Sequence, residues 1–187
     1  MNKFLIVIGV ICLISFVFGL IIIGIYNNLV QQKIAYETQW SQVENQLQRR
    51  FDLIPNLVNS VKGIMKQEQT VFNAIAEART KYGGATTIKD KVEGATELET
   101  AIGRLLVVME NYPELKSSQN VTGLMDELAG TENRIAVERN RYNEAVKKFN
   151  ISVKTFPSNI FAKIFGFQEA ELFKAVEGSE QAPKVEL

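Results

Sequence analysis

Between Arg49 and Val58 the chain concentrates the side chains best suited to recognise another chemical group. Arginine binds carboxylates through a planar fork of N–H donors, and aspartate and asparagine accept such donors. An amphipathic helix requires none of these residue types at this point, so the stretch is interpreted as a site of chemistry, of recognition or of internal structure. Its polar residues and its proline are Arg49, Arg50, Asp52, Pro55 and Asn56.

The chemistry open to this chain is limited by the residue types that it lacks. Its 187 residues include no histidine and a single cysteine, Cys12. Without histidine there is no imidazole base, no Ser–His–Asp triad and no Glu-x-x-His iron motif. One cysteine forms neither an intrachain disulfide nor a thiolate metal cluster. The sequence therefore predicts no cofactor and no metal site.

Carboxylates, lysines and tyrosines remain as acid–base candidates. Catalysis by two carboxylates requires that both converge on one cleft, but the acidic residues are scattered over the predicted outer faces of helices. The sequence therefore favours a protein that is not an enzyme. Its charge is balanced, with 21 basic and 21 acidic residues, and nucleic-acid-binding domains usually have a basic surplus. No nucleic-acid partner is expected.

Residues 1–26 are predicted to form a transmembrane anchor. The run from Phe4 to Ile25 has no charged residue, and at about 1.5 Å per residue it is roughly 33 Å long, which matches a hydrocarbon core of about 30 Å. It is longer than a signal-peptide core, and no small-x-small cleavage site follows it. A single uncleaved span in the cell membrane is predicted. Lys3 before the run favours an extracytoplasmic domain under the positive-inside rule, but Lys33 follows it and the side stays open.

Residues 27–176 are predicted to form an antiparallel bundle of three long helices plus a short fourth element, of the four-helix-bundle type. From Leu29 to Lys81 apolar residues recur along one seam at helical spacing. The seam keeps its phase across Pro55, so we expect the first helix to bend there and not to break. A second helix is predicted over Asp90–Met109, and a third from an N-cap at Asn120 to about Phe156.

The remaining residues form a short apolar element and a tail. Phe156-Pro157-Ser158 is expected to end the third helix, and Asn159–Val176 is short and rich in phenylalanine. This element is predicted to dock onto the bundle; the alternative is that it lies in a bilayer interface. Residues 177–187 have the composition of a disordered tail.

A line of polar residues runs beside the apolar seam of the third helix. They are expected at the edge of the core, where partly buried polar groups need partners. We predict an Arg–Glu contact between the first and third helices, through Glu132. The alternative is that these edge residues are solvated. The line consists of Glu132, Arg139, Asn143 and Asn150.

Several distinctive blocks occur together in this chain: Trp40, Arg49-Arg50 followed by Asp52-Leu53-Ile54-Pro55-Asn56, Tyr112-Pro113-Glu114-Leu115-Lys116, Thr131-Glu132-Asn133-Arg134-Ile135-Ala136 and Phe156-Pro157-Ser158. Taken together they resemble the LemA family of bacterial membrane proteins, over nearly all of residues 26–173. The resemblance implies a single N-terminal span and a bundle of long helices, and it implies no reaction, catalytic residue or cofactor. The residues of these blocks are candidates for a structural or a recognition role. They are Arg49, Arg50, Asp52, Pro55, Asn56, Glu110, Tyr112, Pro113, Glu132, Asn133, Arg139, Tyr142, Asn143 and Asn150.

Two functions therefore remain open for this chain. The first is a membrane-anchored, non-enzymatic scaffold that binds other membrane or envelope proteins. The second is a membrane-organising or membrane-remodelling protein that forms a homo-oligomer. The second requires either an exposed apolar face or a strongly basic one, and only the Phe161–Phe173 region could supply the apolar face.

Overall fold

The computed structural model describes residues 3–173, and its regular elements in that range are all α-helices. The all-α class and the long apolar N-terminal helix predicted from the sequence are confirmed. The predicted tail and the last residues of the predicted fourth element lie outside the described residues. The helices are α1 (Lys3–Lys62), α2 (Gln69–Gly84), α3 (Ile88–Met109), α4 (Pro113–Lys116), α5 (Gln119–Lys154) and α6 (Ser158–Ile164).

The chain divides into two units, and α1 and α5 each contribute to both of them. The span unit contains the chain up to Trp40 together with Asn140–Leu172, and the core unit contains Ser41–Arg139 with Phe173. The core unit is built around the buried faces of α1, α2 and α3 with α4 and the first part of α5. Its largest fully buried side chains include Ile54, Leu57, Val61, Met65, Ile75, Leu105 and Leu115.

The helix predicted to run from Leu29 to Lys81 is in fact two helices. α1 continues through Pro55, as expected, but it ends at Lys62. A turn follows in which the N–H of Met65 donates to the Val61 carbonyl at 2.9 Å. Met65 is fully buried in the same core as the apolar side of α2. The apolar period therefore persists through the reversal, which is why periodicity predicted a single helix.

The ends of α3 and α5 show how local chemistry sets the helix boundaries. α3 begins after Thr87, whose side-chain oxygen accepts the Asp90 N–H at 3.1 Å, an N-cap of the usual kind. The predicted N-cap of α5 at Asn120 is wrong. The helix has already begun at Gln119, and the first carbonyl in its ladder is that of Ser118, which accepts the Thr122 N–H at 3.0 Å.

The span unit has its own small core, and α6 is part of it. Leu29, Phe149 and Ala162 are buried at its centre, so α6 packs against α1 and α5 within this unit, and whether it also lies in a bilayer interface stays open at this point. Gly166 ends this element at a φ of +77°, a backbone conformation that glycine adopts without strain. The partly buried residues packed around the centre are Ile25, Tyr36, Val153, Phe167 and Ala170.

Within the described residues, α1 alone is long and apolar enough to cross a membrane, judged by length and composition. The side chains of its first part are largely exposed, including Phe4, Leu13 and Phe16, each more than half exposed. Burying such a surface in hydrocarbon removes it from water at no polar cost. The exposed apolar part of α1 therefore coincides with the stretch that the sequence predicts to be a membrane anchor.

Candidate functional site

The polar residues of the Arg49–Val58 stretch divide between two faces of α1. Arg49, Asp52 and Asn56 are exposed, and their spacings of three and four residues place them on one side of the helix. We call these three residues the exposed row. Within it, Gln48 Nε2 donates to Asp52 Oδ1 at 2.9 Å, one helical turn away. The opposite face is apolar and buried, as the seam predicted.

Arg50 turns toward the core unit and forms an ion pair with Glu132 of α5. The Arg50 side chain is only 11% exposed and that of Glu132 38% exposed. The predicted Arg–Glu contact between the first and third long helices is therefore confirmed. Its arginine is the one that lies between the exposed row and the seam, where a long side chain can reach a neighbouring helix.

A small cavity of about 10 Å³ lies beside this ion pair in the core unit. Charged and apolar side chains both line it, among them Arg50, Glu99 and Arg139. Arg50 Nε is buried and has no hydrogen-bond partner among the described residues. A cavity of this size has room for about one water molecule and none for a substrate. The arrangement is suited to holding helices together.

Glu99 of α3 belongs to the same group, and it was missed in the sequence. Burial raises the pKa of its carboxyl most strongly, and the negative charge of Glu132 raises it further. The guanidinium groups of Arg50 and Arg139 oppose this shift. The position of Glu99 next to Leu98 and the other inward residues of α3 could have indicated that it is partly buried. Nothing in the residue type itself indicated a partner on another helix.

We expect Glu99→Gln to raise the free energy of unfolding at neutral pH. The folded-state pKa of Glu99 is raised from 4.5, so its favourable contribution is complete below the unfolded value and is lost as the pH rises through the folded value. Above that range the ionised carboxylate is a cost that glutamine does not have. Denaturant titration of both proteins at a series of pH values measures the gain, which should disappear under acid conditions.

Glu97→Gln is the matched control for this prediction. Glu97 lies on the same helix, but it is about half exposed and pairs with Lys81. Its replacement should bring no gain in stability at neutral pH, because an exposed pair contributes little and glutamine cannot keep it. A gain from Glu99→Gln that stays the same at every pH would contradict the assignment to titration of this carboxyl.

Other motif residues of α5 have partners of their own. The Arg139 guanidinium lies over the Phe173 ring at 4.7 Å, within the core unit. In the span unit, Tyr142 donates its hydroxyl hydrogen to the Glu171 carbonyl at 2.9 Å. Burial, and then the neighbouring Tyr36 and Glu171, raise the pKa of Tyr142 to about 12. These residues are used inside the fold.

Asn150 makes the most specific polar contact of the span unit. Its Nδ2 donates to the Ala170 carbonyl at 2.8 Å, and its Oδ1 accepts the Ala170 N–H at 2.8 Å. One side chain therefore satisfies both backbone groups of a residue in the irregular segment after α6. Asn143, one of the residues named from the sequence, is half-buried on the same helix.

We expect Asn150→Ala to lower the free energy of unfolding by about 1–2 kcal/mol, since two hydrogen bonds to partly buried backbone groups are lost. Amide hydrogen exchange at Ala170 should become faster than in the wild type. Asn140→Ala is the control, because Asn140 is exposed on the same helix and should change stability by less than about 0.5 kcal/mol. Equal effects of the two substitutions would show that Asn150 does not hold the segment.

The motif residues between α3 and α4, and the one next to Glu132, lie elsewhere in the core unit. The Tyr112 hydroxyl donates to Glu68 Oε1 at 3.1 Å, and this bond is the main reason that its pKa is raised. Pro113 is the first residue of α4, where its missing N–H costs nothing. Glu110 and Asn133 are exposed. Their roles as structural or recognition residues stay predictions.

The carboxylates of the described region do not assemble into a metal site. Among residues 3–173, no three aspartate, glutamate or cysteine side chains lie close enough together to hold an ion. The charged groups near Arg50 comprise two arginines and two glutamates, an arrangement that neutralises itself. The charged group around Arg50 therefore fixes the positions of the helices that it joins. The exposed row stays accessible to solvent.

Comparison with known proteins places these features in a family context. The sequence model of the LemA family matches residues 39–187. Magnetosome protein MamQ 2 of Paramagnetospirillum magneticum is 29% identical over 196 residues, covering 91% of this chain and 71% of that protein. MamQ of Magnetospirillum gryphiswaldense is 25% identical over 197 residues, covering 91% and 72%. Protein LemA of Metamycoplasma hominis is 24% identical over 162 residues, covering 86% and 74%.

Proposed function

Because the chain belongs to the LemA family, we propose that it is a membrane-anchored helical scaffold, without enzymatic activity, that binds other membrane or envelope proteins. One observation carries this proposal. Arg49, Asp52 and Asn56 stay exposed on α1, while Arg50 beside them is used in an internal ion pair. A motif divided in this way holds its own helix in place and presents polar groups to a partner.

The exposed row is suited to a protein partner of mixed charge. It combines a guanidinium, a carboxylate and an amide, so it has donors and acceptors within about two helical turns. Within the row, Asp52 accepts one exposed side-chain hydrogen bond, from Gln48. Breaking this single exposed bond would cost a binding partner little free energy.

The absence of enzymatic activity is supported by how the motif side chains are used. Arg50, Arg139, Tyr142 and Asn150 contact carboxylate, ring or backbone groups inside the fold. The cavity beside Arg50 is about 10 Å³, so a small-molecule substrate, whose pocket is typically about 300–1,000 Å³, does not fit beside this ion pair. We therefore assign these side chains to the integrity of the scaffold.

The anchoring part of the proposal is supported by the apolar run of α1, which is long enough to span a bilayer once. We place the protein in the cell membrane as a single-pass protein. The lysine at position 3, before the run, supports an extracytoplasmic bundle.

Site-specific photo-crosslinking of the full-length protein in its native cell tests this function. A photoreactive amino acid in place of Asn56 should give discrete adducts. The same photoreactive amino acid in place of Thr100, which is also exposed in the core unit, should give none. Arg49→Ala/Asp52→Ala should weaken the adducts without lowering Tm, since both side chains are exposed. Adducts of equal number and strength at the two positions, or none at Asn56, would contradict a partner at the exposed row.

A second candidate function is a membrane-organising oligomer. It is favoured by apolar side chains that stay exposed around α6, above all Phe156 at 80% and Ile164 at 68%. Exposed apolar surface of this kind marks a contact with a membrane or with protein. The two candidates differ in whether another copy of the chain covers these residues.

A further inference from the structure

α6 packs against the part of α1 that is assigned to the membrane span. The rings of Phe161 and Phe18 lie 6.4 Å apart, centre to centre, and those of Phe165 and Tyr26 lie 5.0 Å apart. From Ile6 onward the apolar run of α1 is otherwise exposed, but Gly19, Ile22 and Ile25 on it are half-buried. Their spacing of three residues is that of one helix face, and this is the face that the span unit covers.

The depth of this contact follows from helix geometry. Phe18 precedes the end of the apolar run at Ile25 by seven residues, which is roughly 10 Å along the helix axis. The hydrocarbon core of a bilayer is about 30 Å thick. A run that fills this core therefore places Phe18, and the Phe161 ring against it, well inside one leaflet.

The outer side of α6 has the composition that such a depth requires. Phe156 is 80% exposed, Ile164 68% and Ile160 48%. From Phe156 to Phe167 the only charged residue is Lys163, and a lysine can extend its ammonium toward the headgroups while its stem stays in an apolar layer.

The backbone of this segment is also compatible with hydrocarbon, where unpaired N–H groups are costly. Before α6, the Asn159 N–H donates to the Thr155 carbonyl at 2.9 Å, and Pro157 has no N–H to satisfy. After α6, the N–H of Phe165 donates to the Phe161 carbonyl at 2.8 Å and that of Phe167 to the Ala162 carbonyl at 2.9 Å. The turns at both ends of the short helix thus keep these donors paired.

We propose that Phe156–Phe167, centred on α6, is embedded in the bilayer in the same leaflet as the C-terminal end of the span. Phe156, Ile160 and Ile164 contact lipid acyl chains, and the opposite side of α6 contacts α1. This inference rests on the proposed membrane anchoring and deepens it, since the span unit then enters the membrane with two helices. Lipid is the chosen occupant because the exposed apolar side is continuous with that of the span.

Spin-label depth measurements on the full chain in vesicles of phosphatidylethanolamine and phosphatidylglycerol test the proposal. A nitroxide on the native Cys12, which is exposed, reports on the span. In a Cys12→Ser background, a label at Ile164→Cys reports on α6, and one at Ile34→Cys is the matched control. Ile34 is 55% exposed and lies nine residues beyond the run on α1, roughly 13 Å further along.

The expected result is that the labels at Cys12 and Ile164 collide with dissolved oxygen and lose access to a water-soluble nickel chelate, while the label at Ile34 keeps that access. Nickel access at Ile164 equal to that at Ile34, with Cys12 still protected, would overturn this inference and leave the anchor standing. Nickel access at Cys12 would overturn the anchor as well. Protection of Ile164 from both reagents would place protein there, overturning the lipid contact in favour of a second copy.

Discussion

Gly94→Ala is expected to lower the free energy of unfolding by about 2–3 kcal/mol, the cost of overpacking at a helix–helix contact. A β-carbon at Gly94 would lie 2.8 Å from Tyr82 Cα and 2.9 Å from the Tyr82 backbone nitrogen. Both are backbone atoms of α2, so no side-chain rotation relieves the clash. α2 and α3 would have to separate, which loosens the core shared by Ala78 and Leu98.

Gly103→Ala provides a control on the same helix with the opposite expected sign. No described atom lies within 4 Å of a β-carbon built at Gly103. Alanine should therefore only improve the helix, by about 0.5–1 kcal/mol. Chemical denaturation of the full chain, followed by circular dichroism, measures both changes. Two losses of equal size would mean that the substitutions act through helix propensity or the unfolded chain, and not through contact with Tyr82.

Glu132→Ala is expected to lower the free energy of unfolding by about 2–3 kcal/mol, because it leaves the Arg50 guanidinium nearly buried without its carboxylate. The Arg50 side chain is 11% exposed, so water can replace the lost partner only in part. Glu132 itself is 38% exposed. For that reason the expected loss is smaller than the loss of about 3–5 kcal/mol that follows when one partner of a fully buried ion pair is removed.

Two further variants isolate the ion pair. Arg49→Ala removes the neighbouring, exposed arginine and should change stability by less than about 0.5 kcal/mol. Arg50→Met/Glu132→Leu removes both charges and should recover most of the loss, since a buried pair can often be replaced by apolar residues. If Glu132→Ala costs no more than Arg49→Ala, the pair is effectively solvated and the internal role of Arg50 is wrong.

These results would divide the motif residues by function. Arg50 and Glu132 would be needed for stability, and their loss would act on any partner indirectly through the fold. Arg49, Asp52 and Asn56 would be dispensable for stability and testable for binding alone. The two arginines, adjacent in the sequence, would then differ because one reaches α5 and the other faces solvent.

The sequence alone was sufficient to predict the all-α class, the buried side of the long helices and the long apolar N-terminal helix. Apolar residues recurring at helical spacing indicate which side of α1, α3 and α5 is buried, since a helix in water stabilises itself by burying that side. The pairing of Glu132 with an arginine was also predictable. A charged residue beside an apolar seam is partly buried, and it needs an opposite charge on the helix that covers it.

The reversal after Lys62 was not predictable from periodicity. Residues of α1, of the turn and of α2 all face one core, so the apolar pattern continues where the chain turns back. Gly63 was the available signal, but a single glycine also occurs within helices, as Gly94 does within α3. Which glycine ends a helix and which permits a close contact depends on what packs against each one.

Local sequence determined what depends on one element only: the helical period, the polar row on α1 and the length of the apolar run. Tertiary structure decided which polar groups meet across elements, as in Glu99 beside Arg50 and Asn150 against Ala170. Such contacts join residues distant in the chain, and their geometry depends on how helices pack. For the same reason, the bilayer location proposed for the exposed side of α6 could be inferred only from the contact between Phe161 and Phe18.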